Sequence, residues 1–274
     1  MDISSFIAGA TGAFGIKILD ILYQEMIRKK NNHQSAKQFV DAHLDPFLKS
    51  ADEVEGKLHS LIKNNFQSIN GIPFKDRNQN NDYISLFYLL AKFWANIEIL
   101  RVEGLAVAIS EDKRGQQLQS FLECLHLKEM RLVDRITQRA VGEILIKEVN
   151  GKLGVIPFIE FYELIENKNE ILNKWTEEIS IVLHKSSHKH NTQRLILYSI
   201  VINAMLQTLD PDNTIVKNRP THTKRLSDKS NKVLEGKVLM YYLKFIRDTE
   251  NYSKKGMTRR QLNAFYKKNK KQGK

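Results

Sequence analysis

The order of hydrophobic and polar residues has a helical period along most of this chain. Hydrophobic residues recur three and four positions apart between residues 36 and 66, which is typical of an amphipathic helix. Pro46 lies inside that segment, so we expect a kink or a break there. Residues 83–109 are hydrophobic on nearly all sides and predict a helix at the centre of a bundle. The pattern predicts further helices over residues 116–146, 156–185, 194–209, 232–250 and 258–271.

Three stretches interrupt this period. Residues 70–82 are polar and predict a loop, and residues 210–230 form the longest linker-like stretch. The dipeptide Asn150-Gly151 favours a tight hairpin turn, so we expect a short two-stranded ribbon near residues 148–156. The pattern as a whole predicts an all-α, multi-helix bundle with one short β-hairpin.

The first 30 residues form a segment of unusual composition. Residues 3–27 predict one helix, with no charge from Ile3 to Ile16 and charges at Lys17, Asp20 and Glu25. Small residues four apart let two helices approach closely, and Arg28-Lys29-Lys30 supply a basic flank typical of the cytoplasmic side of a membrane. The segment predicts a weak membrane anchor, an interfacial helix or an oligomerisation helix, with a buried core helix as the alternative. The small residues concerned are Ala8, Gly9, Gly12, Ala13 and Gly15.

Within this segment, the string AGATGAFG, with Gly9, Gly12 and Gly15, resembles the glycine turn of extended and atypical short-chain dehydrogenases. That resemblance implies a dinucleotide cofactor bound between a first strand and a helix. The rest of the sequence contradicts the implied fold, because no second strand follows, no alternation of strands and helices is found, and no Y-x-x-x-K motif occurs downstream. We therefore predict a helix here and no cofactor.

Composition and charge change the picture at the C-terminal end. The chain is 42% hydrophobic and 27% charged, which is typical of a globular protein, and its one cysteine, Cys124, excludes an internal disulfide and indicates a reducing compartment. Residues 1–216 contain 25 Lys and Arg and 27 Asp and Glu, whereas residues 217–274 contain 18 and four. The whole net charge of +12 therefore originates in the last fifth of the chain.

This asymmetry predicts a three-part organisation: an N-terminal apolar helix over 1–30, a helical core domain over 31–216, and a basic helical extension over 217–274. The extension is expected to contact an anionic membrane surface or a nucleic acid. A solvated tail without a partner is the alternative. In its last helix Leu262, Phe265 and Tyr266 fall on one side. The candidate polyanion-binding residues are Lys254, Lys255, Arg259, Arg260, Phe265, Tyr266, Lys267, Lys268, Lys270 and Lys271.

Two patterns suggest catalytic or metal chemistry. His184 and His188 are four residues apart, as two metal ligands on a helix would be, but the serines and lysines around them indicate a loop. In RKKNNH, Arg28 and His33 have a spacing that is similar to the active motif of HEPN-type ribonucleases, which are all-helical, usually dimeric and metal-independent. That resemblance implies that the two side chains orient and protonate a scissile phosphate, although Lys29 stands where the family usually has a small polar residue.

The preferred interpretation is a non-catalytic protein that faces the cytoplasm at the inner side of a membrane. It associates with that membrane or forms a homo-oligomer through residues 3–27, and its basic C-terminal region supplies a second attachment. A nucleic-acid-binding protein that uses the same basic region is the first alternative, and a HEPN-like ribonuclease is the second. The sequence contains no P-loop, no G-x-S-x-G and no H-E-x-x-H motif, which favours a protein that is not an enzyme.

Overall fold

The computed structural model describes residues 3–104, 109–167, 170–186 and 188–272, with the backbone alone for residues 3–29, 74–75, 149 and 269–272. The described chain is an all-α, multi-helix fold with one two-stranded antiparallel sheet, as predicted. The α-helices are α1 (Ile3–Lys63), α2 (Asn81–Glu103), α3 (Lys113–Leu125), α4 (Arg135–Ile144), α5 (Phe158–Glu166), α6 (Glu170–His184), α7 (Lys189–Leu209), α8 (Asp228–Val233) and α9 (Arg259–Gln272).

Helix α1 is continuous over 61 residues, so of the kink or break expected at Pro46 the break is wrong, and the kink stays a prediction. A proline inside a helix removes one backbone hydrogen bond and leaves the carbonyl four residues earlier without its donor. Pro46 lies on the exposed side of α1, where water can bind that carbonyl. The buried side chains of Leu44, Phe47 and Leu48 hold the two turns around it against the core.

The centre of the fold consists of α2 and α7, which are buried along most of their length. Helix α2 packs against α1 and α4, and α7 packs against α1 and α3. Trp94 donates a hydrogen bond from Nε1 to the Tyr198 hydroxyl at 3.0 Å, which satisfies two polar groups inside the core. Among the described residues, α2 is the one helix long and apolar enough to cross a membrane, and 72% of its apolar window is buried in this core.

The single helix expected over residues 116–146 is instead two helices, α3 and α4, joined by residues 126–134. Asp134 ends the connection, because its carboxylate accepts hydrogen bonds from the backbone N–H groups of Ile136 and Thr137 and so begins a new helix. Met130 and Leu132 are buried within the connection. The amphipathic pattern of the sequence therefore continues across residues 126–134, although the helix itself is interrupted there and begins again at the Asp134 cap.

The β-hairpin lies where the sequence predicts it. Strands β1 (Ile146–Val149) and β2 (Lys152–Val155) pair antiparallel, with Val149 opposite Lys152. Asn150 and Gly151 form the turn with φ values of 54° and 74°, a left-handed pair that these two residue types adopt readily. Tyr88 of α2 donates a hydrogen bond to the Ile156 carbonyl at 2.9 Å, just after β2.

The C-terminal residues pack onto the rest of the protein. After α8 the helix continues as a π-helical segment over Leu234–Tyr242 and then ends, so the single helix expected over 232–250 stops early. Helix α9 covers this segment, and Leu262 is fully buried. Residues of the segments 31–216 and 217–274 belong to one hydrophobic cluster, which includes Val238 and Leu243. The predicted three-part division of the chain stays a prediction.

Candidate polyanion-binding surface

The basic region begins at residue 217, and its first arginines are bound to helix α1 and the turn that follows it. Arg219 donates from Nη1 to a carboxylate oxygen of Glu55 at 2.9 Å, and it also pairs with Asp52. Arg225 donates to the Ile62 carbonyl and to the side-chain oxygen of Asn65 near the end of α1. These cations satisfy groups of the fold, so the basic excess of the C-terminal region is partly structural.

The same region encloses a small group of titratable side chains. Burial raises the pKa of Glu55 to about 7, against the opposing charge and hydrogen bond of Arg219. The rings of His59 and His222 are tilted against each other with centroids 4.5 Å apart. Burial is the largest cause that lowers the pKa of both imidazoles. The second cause is the charge of Arg219 for His59, and the charge of His59 for His222. Both imidazoles are thereby favoured in the neutral form near pH 7.

Arg259, a predicted polyanion contact, is engaged within the protein. Its guanidinium donates to the carbonyls of Leu239 (2.6 Å), Leu243 (2.9 Å) and Ile246 (3.0 Å). These acceptors belong to the π-helical segment and the turn after it, whose carbonyls lack helical donors. Arg259 therefore acts as a cap that attaches α9.

The predicted apolar side of the last helix is only partly available. Leu262 is buried in the core, and Tyr266 lies against Gly236, where an added Cβ would come within 2.8 Å of the tyrosine ring. Phe265 remains 41% exposed, and the ammonium of Lys255 lies 5.7 Å from its ring centroid. Two of the three residues thus hold α9 in place, and the third faces solvent.

The predicted polyanion-binding residues that remain exposed form the candidate polyanion-binding surface. Lys254 pairs with Asp228 at 3.0 Å, which reduces its availability for another anion. A second exposed aromatic residue, Tyr241, is 67% exposed and has the Lys244 ammonium 5.9 Å from its ring centroid. The side chains of Lys270 and Lys271 lie outside the described residues. The surface defined here consists of Lys255, Arg260, Phe265, Lys267 and Lys268, all exposed.

The predicted N-terminal residues lie on helix α1. The backbone of Ala8, Gly9, Gly12, Ala13 and Gly15 is helical, and their side chains are outside the described residues. A glycine turn between a strand and a helix is therefore not present at these positions.

The two positions of the ribonuclease-like motif are also helical. Positions 28 and 33 are five residues apart on one helix, which corresponds to about 140° around its axis. His33 is exposed and donates from Nδ1 to the Glu111 carbonyl at 2.7 Å, whereas the Arg28 side chain is not described. The ribonuclease hypothesis stays a prediction.

The candidate metal ligands lie at the ends of two helices. His184 is the last residue of α6, and His188 is the residue before α7. Within the residues that the structure describes, no group of three or more His, Cys, Asp or Glu side chains is placed to hold a metal ion. The spacing of four residues does not correspond here to one face of one helix.

A cavity of about 1220 Å³ lies beside these elements and contains residues that the sequence did not single out. Arg131, from the α3–α4 connection, and Arg194, from α7, both line it, together with Lys229 of α8. These residues are distant in the sequence and have no common motif. The sequence offers no signal that joins them, because Arg131 stands in a charged stretch with Lys128 and Glu129.

Comparison with known proteins finds no family model, no curated protein and no solved structure that matches this chain. What the chain does must be inferred from its own residues and their geometry.

Proposed function

We propose that this protein is attached to a membrane through the N-terminal part of α1 and faces the cytoplasm with its helical body. The observation that carries the proposal is the continuity of α1. The helix runs without interruption from the apolar residues near Ile3 into the core, where Ala36 is the first buried side chain of its described part.

The described residues immediately before Ala36 support this proposal. Residues 30–35 are exposed at every position, so no side chain of the helix is buried over more than one full turn, and His33 contacts the body through its hydrogen bond to the Glu111 carbonyl. An unpacked helix in water is only marginally stable, because most helical stability in proteins comes from packing an apolar face. A membrane that holds the apolar residues on the N-terminal side would stabilise the helix across this stretch.

The polyanion-binding surface supplies the second attachment. A single weak anchor gives reversible membrane binding, whereas an anchor combined with a basic patch binds stably. Lys255, Arg260, Lys267 and Lys268 are exposed, and each basic residue near an anionic leaflet contributes about 1 kcal/mol. Phe265, exposed among them, can enter the interface between headgroups and acyl chains.

The proposal is tested by cell fractionation and by vesicle flotation. We expect the full-length chain to sediment with membranes and a chain lacking residues 1–27 to be released. With phosphatidylcholine vesicles that contain phosphatidylserine, we expect the triple substitution Arg260→Gln, Lys267→Gln, Lys268→Gln to weaken binding about 100-fold, from about 1 kcal/mol for each lost charge.

A matched control removes three exposed lysines outside residues 217–274. Lys113→Gln, Lys152→Gln and Lys185→Gln together change the net charge equally and should leave vesicle binding nearly unchanged. Full-length protein that remains soluble and monomeric after fractionation would refute the anchor. An equal loss of binding in the control and in the test variant would refute the specific role of the surface.

A second candidate function, single-stranded nucleic-acid binding, is favoured by the exposed aromatic rings with lysines beside them. Phe265 with Lys255 and Tyr241 with Lys244 combine a stacking surface with a cation, as proteins that bind single strands do. Phe265→Ala and Tyr241→Ala should then weaken binding to a labelled oligonucleotide by about 1–3 kcal/mol each. Binding that these changes leave intact would exclude stacking and leave only charge.

A further inference from the structure

The cavity beside α7 combines an apolar wall with an unusual set of charges. It lies among the α3–α4 connection, α6, the beginning of α7 and the beginning of α8. Leu132, Val133, Ile181, Val182 and Leu197 provide apolar surface, and Ile181 is 40% exposed. Five Lys and Arg side chains line the same cavity: Lys128, Arg131, Lys189, Arg194 and Lys229.

The four carboxylates that line the cavity are already engaged. Glu129 pairs with Lys237, and Asp228 pairs with Lys254. Asp134 accepts from the backbone of α4, as described above, and from the hydroxyl of Thr137. Glu178 is 3.3 Å from the same hydroxyl. None of these four forms an ion pair with a cation of the cavity.

The five cations have no such partners. Within the described residues, none of them has a carboxylate oxygen within 4.0 Å of its charged nitrogens. Arg131 and Arg194 are half-buried, whereas the three lysines are exposed, so the arginines lie deeper in the cavity. The Nε atom of Arg194 is buried and makes no hydrogen bond.

The guanidinium groups of Arg131 and Arg194 are both half-buried, and their positive charges repel each other. Burial, and then the charge of Arg131, lowers the pKa of Arg194 from its usual range. A buried donor without an acceptor costs free energy, and so does a buried charge without a counter-charge. An anion between the two arginines would remove both costs, because guanidinium groups bind phosphate oxygens through paired N–H donors.

We propose that this cavity binds a phosphorylated small molecule, with Arg131 and Arg194 on its phosphate oxygens and its organic part against the apolar wall. The five cations of the lining outnumber Asp134 and Glu178, the two lining carboxylates without a cationic partner, so the excess positive charge matches a ligand with several negative charges better than a single carboxylate. The volume accommodates a molecule of nucleotide size. A nucleotide and the phosphate headgroup of a lipid share this chemistry.

Thermal unfolding of the full-length protein tests the proposal. We expect pyrophosphate and ATP to raise Tm, and sodium chloride at equal ionic strength to have a smaller effect. A larger shift with ATP than with pyrophosphate assigns the apolar wall to a nucleoside, and a larger shift with dihexanoyl phosphatidic acid assigns it to acyl chains. The absence of a Tm shift with all three phosphate compounds would overturn the proposal.

Variants locate the binding. Arg131→Gln and Arg194→Gln should each weaken phosphate binding at least tenfold by calorimetry, since a charge-assisted hydrogen bond is lost. Each should also raise the Tm of the unliganded protein, because the repulsion between the two arginines is relieved. Arg247→Gln, with the same loss of charge at an exposed position outside both the cavity and the candidate polyanion-binding surface, should leave calorimetric binding unchanged. Equal affinities in all three variants and the wild-type protein would overturn the proposal.

A measurement on the wild-type protein avoids any failure of these variants to fold. Phenylglyoxal modifies accessible arginines, and peptide mass spectrometry identifies the modified positions. We expect pyrophosphate to protect Arg131 and to leave the modification of Arg247, which is exposed and lies outside both the cavity and the candidate polyanion-binding surface, unchanged. Protection of neither arginine, or equal protection of both, would show that the anion does not bind in the cavity.

Discussion

Glu55 is the residue whose charge state is most strongly set by its surroundings. Glu55 is 1% exposed, and the positive charge that faces it, Arg219, is shared with Asp52. One guanidinium cannot fully compensate two carboxylates, and burial disfavours the ionised form of the more enclosed one. This is why the pKa of Glu55 rises to about 7 although an arginine contacts it.

We expect this carboxyl to make stability depend on pH. The folded protein holds a proton on Glu55 up to a pKa of about 7, whereas the unfolded chain releases it near its ordinary pKa of 4.5. The contribution to folding is therefore fully present below 4.5 and is lost as the pH rises through 7. The Glu55→Gln variant has no ionised form at this position. Its free energy of unfolding should therefore rise by roughly 2–3 kcal/mol relative to that of the wild-type protein from low to high pH.

Urea unfolding of both proteins at pH 5 and pH 8 measures this difference. Its change between the two pH values isolates Glu55 from other titrating groups, because those groups are common to both proteins. Glu53→Gln, an exposed substitution two residues away, is the matched control. A difference between the Glu55 variant and wild type that stays constant or shrinks with pH would contradict the assignment.

At the scale of elements, one arginine attaches helix α9 to the body. Arg259 donates four hydrogen bonds to carbonyls of residues 239–246, and burial lowers its pKa. Arg259→Met should lower the free energy of unfolding by roughly 2–4 kcal/mol, because buried carbonyls lose charged donors. Arg260→Met, at the neighbouring exposed position, should change it by less than about 0.5 kcal/mol. Chemical denaturation compares them, and equal effects would contradict the capping role.

The contact between α2 and α4 depends on a glycine. A Cβ at Gly142 would lie 2.8 Å from the backbone carbon of Trp94 and 2.9 Å from its oxygen, and backbone cannot yield as a side chain can. Gly142→Ala should therefore destabilise the protein by roughly 1–3 kcal/mol, although alanine is the better helix former. At Gly154, where the nearest atom is 3.9 Å away, the same change should have little effect. Thermal unfolding distinguishes the two, and a stabilised Gly142 variant would show that the helices can separate freely.

Elements with a strong local signal could be predicted from the sequence. The hairpin follows from Asn150-Gly151, and the buried helices α2 and α7 follow from their apolar runs. The interruption at Asp134 was missed because a side-chain cap competes with a period that continues across it. The cavity was missed for a different reason: Arg131, Arg194 and Lys229 are brought together by tertiary packing alone.

At the scale of the whole molecule, the C-terminal region is bound to the core at several places. The rings of Phe121 on α3 and Phe245 pack edge to face with centroids 5.5 Å apart, and Arg219 and Arg225 bind α1. Buried polar and apolar groups would both lose partners if this region were removed. Part of the basic excess, namely Arg219, Arg225 and Arg259, therefore belongs to residues that hold this region on the body.

A chain that ends at residue 216 should expose Cys124. This thiol is fully buried on α3, and burial raises its pKa, so it should be unreactive in the intact protein. We expect the truncated chain to react with dithionitrobenzoate in native buffer at a rate near that of unfolded protein. Deletion of residues 267–274 alone should leave the thiol protected. Full protection in the shorter chain would instead support an independent domain over residues 31–216.

The exposed stretch of α1 before Ala36 also has a mechanical meaning. A continuous helix transmits rotation as well as distance, since each residue adds a rise of about 1.5 Å and a turn of about 100°. The proposed membrane attachment would therefore fix the direction in which the body faces. One residue inserted between positions 30 and 35 would turn the cavity and the candidate polyanion-binding surface by more than a quarter of a circle. Seven residues would restore their direction to within about 20° while moving them about 10 Å further away.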